Sequence, residues 1–88
     1  MLHYAVEFLG TFLFLSSIVA TGQPMIIALT FFVCILLAGG ISGAHFNPAV
    51  TLMFMAKGDI APAKAAGYIA LQILGGLAAL GVFKALSK

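Results

Sequence analysis

Few residues in this 88-residue chain can do chemistry, and most fall in one stretch, Ser42-Gly43-Ala44-His45-Phe46-Asn47-Pro48-Ala49-Val50-Thr51. Elsewhere the polar groups stand singly, with Glu7 and Gln72 set inside apolar runs. No nucleophile is spaced with a base and no cluster of ligating side chains is present, so neither an enzyme nor a bound metal or cofactor is expected. What the stretch does offer is hydrogen bonding. Asn47 can donate from its amide, and backbone from Ser42 to Phe46 is too irregular for a helix and leaves carbonyls as acceptors. Donors and acceptors along an otherwise apolar path suit water or a small neutral polyol.

The elements that must position these groups follow from capping chemistry. Asn47 can cap a helix with its side-chain oxygen, and Pro48 at the first helical position loses no hydrogen bond, so a helix starts here. It runs to about residue 57, where Lys57-Gly58-Asp59 supplies a stop and a hydrophilic turn. Some ten residues rise only about 15 Å, half of an apolar bilayer core, so the segment dips in and cannot cross. Its amino end then lies near the midplane, where free N–H groups and the positive end of the helix dipole oppose cations, protons included.

A lipid setting comes from composition. Hydrophobic residues make up 64% of the chain and charged ones 7%, with mean hydropathy +1.24, outside the range of a soluble domain of this size. Apolar runs over about residues 4–21, 25–41 and 61–85 read as three transmembrane spans, the first two joined by the tight turn Thr21-Gly22-Gln23-Pro24. Ala66, Gly67, Ala70, Gly75, Gly76 and Ala79 give the last span a face for close helix contact. Residues 1–88 read as a single unit without linker or repeat. The expected fold is all-α: three transmembrane helices plus one re-entrant half-helix at about residues 47–57, in a multi-pass integral membrane protein of a plasma or inner membrane.

Several readings are set aside. The first run lacks a positive leader and carries Glu7, so it reads as a membrane helix and not a cleaved signal peptide. Cys34 stands alone in an apolar run and reads as a small packing residue. Four lysines scattered without aromatic interleaving exclude nucleic acid as a partner. From spacing alone, three settings for the Asn47 helix stay open: a surface amphipathic helix, a channel, and the broken helix of an ion-coupled transporter.

The stretch Ser42 to Thr51 closely resembles the first Asn-Pro-Ala segment of the major intrinsic proteins, the aquaporin and glycerol-facilitator family. Glu7-Phe8-Leu9-Gly10-Thr11-Phe12 resembles that family's opening helix, and Tyr68-Ile69-Ala70-Leu71-Gln72 with Gly75 its third. The resemblance covers about residues 5 to 83. It implies half of an aquaporin-like fold and a passive channel for water or solutes such as glycerol. It further implies that Asn47, Pro48 and Ala49 line the pore, with the carbonyls of Gly43, Ala44 and His45 facing it. Counting from Asn47 as the family does puts the narrow-filter position of the second helix on Ile27. Val50 occupies the place where the second such segment carries an arginine, and this chain has no arginine.

An acid within lipid should face the protein interior and find a partner. The resemblance implies that Glu7 holds the re-entrant loop by accepting backbone hydrogen bonds, and that Gln72 braces it. His45 could act as a pH gate, but a lone imidazole without a carboxylate or thiol beside it reads as a hydrogen-bonded packing residue. The family is built from two inverted halves, and this chain resembles one. Lys57 and Lys64 on one side balance Lys84 and Lys88 on the other, so little orients the chain in the membrane. A homo-oligomer, an antiparallel dimer or higher, with lipid around it, is therefore expected; an accessory half that docks on a full-length channel, or an inactive truncated half, is the competing expectation.

Overall fold

The computed structural model describes residues 1 to 87. Four helices follow one another: α1 (Leu2–Thr21), α2 (Pro24–Ala38), α3 (Pro48–Lys57) and α4 (Pro62–Leu86). The last three each open on a proline, which brings a helical φ and has no N–H to leave unpaired. Left-handed Gly22 and Gly58 end α1 and α3. The sequence places Lys88 at the far end of the last span; that residue lies outside those described.

α1 and α4, at 20 and 25 residues, are long and apolar enough to cross a membrane. They are not the core helices of a soluble domain, because only 22% and 17% of their most apolar windows are buried. Leu9, Leu13, Ile73 and Leu77 are all more than half exposed. α2 differs from the expected span of about 25–41. Its regular helix stops at Ala38, so its 15 residues rise about 22 Å. The backbone continues to coil beyond it: Ile41 and Ser42 N–H both donate to the Ala38 carbonyl, and Gly43 N–H to Gly39. α1 also begins earlier than expected, because the Met1 carbonyl accepts from Tyr4 and Ala5 and completes a first turn.

α1 is the central element, with α4 packed along one flank and α2 along the other, while α3 rests on α4. The small residues of α4 make the α1 contact close. A Cβ added to Gly75 would stand 2.9 Å from the Phe8 carbonyl oxygen and 3.2 Å from the Phe12 nitrogen, so backbone meets backbone there. Across the α1–α2 contact, Phe14 and Phe31 stack with centroids 4.4 Å apart. We expect Gly75→Val to force α1 and α4 apart and to cost about 1–3 kcal/mol, read as a lowered unfolding midpoint in detergent.

Candidate functional site

The stretch between α2 and α3 has left-handed backbone at three positions, Gly43 (φ 90°), Ala44 (φ 53°) and Phe46 (φ 54°). Two of these carry a side chain, and φ above zero costs a non-glycine residue on the order of 1 kcal/mol. The chain adopts it because its N–H groups are taken. Glu7, fully buried on α1, accepts from Phe46 N–H at Oε1 (2.9 Å) and from His45 N–H (3.1 Å) and the Ser42 hydroxyl (2.7 Å) at Oε2. Gln72 of α4 donates from Nε2 to Oε1 at 2.9 Å. Four donors converge on two oxygens, which suits a group that only accepts.

The network continues through Thr51, on the first turn of α3 and fully buried. Its hydroxyl accepts from the second Gln72 amide hydrogen at 2.9 Å. The same hydroxyl is hydrogen-bonded to His45 Nδ1, also 2.9 Å away. The His45 ring is buried between Phe54, stacked at 4.9 Å, and Tyr68, edge-on at 5.2 Å. Tyr68 donates its hydroxyl to the Ser42 carbonyl at 2.7 Å, while Ser42 Oγ accepts from Ala44 N–H at 3.1 Å. Phe46 turns inward, packs with Cys34 and Ala38, and lays its ring over Gly10.

With the His45 and Phe46 N–H groups anchored on α1, the carbonyls of Gly43, Ala44, His45 and Phe46 accept no hydrogen bond among the described residues. Beside them, Asn47 Oδ1 accepts from Ala49 N–H at 2.8 Å and so caps α3, which turns the Asn47 amide hydrogens outward. Asn47 and Ala49 are exposed, and Pro48 and Val50 are half-buried. Ile27 is half-buried on the first turn of α2, in a different element from this tip. The geometry thus gathers Gly43, Ala44, His45, Asn47 and Glu7 with Gln72 around one loop. Thr51 and Tyr68 belong to the same network although sequence reasoning gave them no role, and the Ser42 carbonyl, expected to be left as a free acceptor, is instead taken by the Tyr68 hydroxyl. For Tyr68 the signal was spacing: it stands four residues from Gln72 on α4, which puts the two on one face.

Residues 2–88 match the family described as Major intrinsic protein. The chain belongs to that family. As a major intrinsic protein it is 42% identical over 96% of its length to the Glycerol uptake facilitator protein-like 6 of Lactiplantibacillus plantarum, covering 43% of that protein. It is 35% identical to the Aquaglyceroporin AqpS of Rhizobium meliloti over 72% of this chain and 24% of the relative. With the Lens fiber major intrinsic protein of Gallus gallus it shares 46% identity over 50% of this chain and 17% of the relative. The chain spans less than half the length of these curated relatives. No solved structure matches it.

Within this major intrinsic protein the Glu7 tether makes a clear prediction. Glu7→Gln keeps the shape but puts an NH₂ group against donors, and leaves at least one buried N–H or O–H unpaired. We expect a loss of about 2–4 kcal/mol in detergent unfolding, and accelerated amide exchange at His45 and Phe46. Tyr68→Phe removes one neutral bond and should cost about 1 kcal/mol in the same assay.

Proposed function

We propose that this chain forms half of a transmembrane channel for water or small neutral solutes such as glycerol. In this reading α1, α2 and α4 are the spans and α3 is the re-entrant half-helix. The observation that carries it is the pairing of unengaged carbonyls at Gly43, Ala44 and His45 with the outward amide of Asn47. A guest that leaves water there exchanges hydrogen bonds for hydrogen bonds, donating to the carbonyls and accepting from Asn47. An ion finds no charged partner to replace its hydration, and a cation also meets the positive end of α3. Pro48 and Ala49 shape the tip, and Val50 and Ile27 make the lining aliphatic. The names of the relatives, a glycerol facilitator and an aquaglyceroporin among them, support this choice of solute.

The exposed Asn47 tip cannot face lipid, since unpaired backbone polar groups in hydrocarbon are strongly disfavoured. A second inverted half must cover it, and we assign that role to another copy of this chain inserted in the opposite direction. The even split of lysines between the two sides supports insertion both ways. Vesicles carrying the purified chain should shrink under an osmotic gradient faster than lipid alone, for water and then for glycerol. Permeability at the lipid background, with the protein folded and dimeric, would refute the channel.

Two variants test the parts. Asn47→Asp places negative charge at the cation barrier and should raise proton leak about tenfold, the effect of ~1.4 kcal/mol on a barrier, as read by an entrapped pH dye. Ala85→Lys with Ser87→Lys biases orientation; solute flux should fall strongly, and unchanged flux would exclude the oppositely inserted pair.

A further inference from the structure

His45 leaves one of its two ring nitrogens unused. The residue is 8% exposed, with Nδ1 bonded to the Thr51 hydroxyl and the ring enclosed by Phe54 and Tyr68. Nε2, turned away from Thr51, has no partner among the described residues, which calls for an explanation in a buried side chain. It is not sealed in, because the enclosed side-chain atoms without a partner are Thr11 Oγ1 and Gln72 Oε1 alone among the described residues. Gly43 marks where the ring opens. A Cβ added to that glycine would stand 3.3 Å from Nε2, and Gly43 and His45 line one cleft of about 290 Å³ with Asp59, Lys64 and Tyr68. That volume suits a small ion or a head group.

Positive charge gathers at the same cleft. The Lys64 ammonium lies over the Tyr68 ring, 5.7 Å from its centre, and pairs with no carboxylate among the described residues. Asp59 is already engaged by Lys57 at 3.1 Å, and Glu7 by its four donors. α4 also begins here, with Lys64 in its first turn. Ala61 offers no side-chain cap, the first turn holds no acid, and the N–H groups of Ala63 and Lys64 meet no acceptor among the described residues. A helix start in that state attracts negative charge. Taken alone it would be served by water; the buried Nε2 and the unpaired ammonium at the same place ask for an oxyanion.

We propose that this cleft binds a phosphate group, held by Lys64 Nζ, by Nε2–H of His45 and by the amino end of α4. Nε2 carries the hydrogen in the imidazolium and in one neutral tautomer, and a phosphate beside it favours both. The cleft adjoins the hydrophilic turn Lys57-Gly58-Asp59, at the surface end of α3. Two sources therefore offer the same chemistry, a free phosphate and the phosphodiester of a lipid head group. The assignment does not depend on the channel reading, since none of Asn47, Pro48 and Ala49 borders this cleft.

The test uses the full chain with isotopically labelled histidine. Of its two histidines, His3 and His45, the first is removed as His3→Gln so that only His45 reports. In a maltoside detergent free of phosphorus, added inorganic phosphate should give saturable phosphorus-to-nitrogen dipolar transfer at His45 Nε2. Lys64→Gln should weaken the binding about tenfold, the loss of one charge-assisted contact, while Lys84→Gln at the other end of α4 leaves it unchanged. The same transfer in phosphatidylglycerol bilayers without free phosphate marks a lipid head group as a source; transfer in detergent marks free phosphate. No transfer from either source, with the bond from Thr51 to Nδ1 intact, would overturn the proposal. So would binding that Lys64→Gln leaves untouched, or that Lys84→Gln weakens as much. Vesicles that fail to conduct while the transfer persists would count against the channel and leave the site standing.

Discussion

Everything distinctive in this chain hangs on the Glu7 carboxylate. A single buried acid on the central helix gathers an amide from α4, a hydroxyl from Ser42 and two backbone N–H groups from the loop before α3. The N–H groups of buried His45 and Phe46 would otherwise be orphaned, and left-handed Ala44 and Phe46 would have nothing to offset their strain. Glu7 thereby decides which side of the loop is used up and which stays free. Its consequence is a row of carbonyls with no partner among the described residues, ending at the Asn47 amide.

The supporting layer is arranged so that this tether cannot shift. Close packing of α1 on Gly75 fixes Glu7 relative to Gln72, and Gln72 reaches both Glu7 and Thr51, joining the loop anchor to the half-helix itself. Tyr68 holds the carbonyl end of Ser42 while Glu7 holds its hydroxyl. Each polar side chain is thus shared between two elements, and in a low-dielectric interior such sharing stiffens the whole.

Much of this was legible from residue types. Prolines at 24, 48 and 62 mark helix starts, and the structure opens helices at all three. The Asn47-Pro48 pair announced a capped helix too short to cross. The point where regular α2 ends was less legible, because Gly39 and Gly40 continue in helical turns and only the loop's anchoring stops the coil. Thr51 escaped notice as a network member because a threonine hydroxyl in an apolar helix ordinarily bonds back to its own backbone, as Thr30 does. Only the three-dimensional meeting of α1, α4 and the loop distinguishes a shared one. Ile27 was placed by family counting, and the described half gives it no contact with the Asn47 tip.

The account stands or falls on whether Glu7 holds the start of α3 deep in the bilayer. A spin label at Ala49, introduced as Ala49→Cys in a Cys34→Ala background, reports that depth directly through its accessibility to oxygen and to a water-soluble relaxant. We predict a depth near the bilayer centre, shifting toward the surface when Glu7→Gln is added. A label already at headgroup depth with Glu7 present would contradict the re-entrant half-helix and the function built on it.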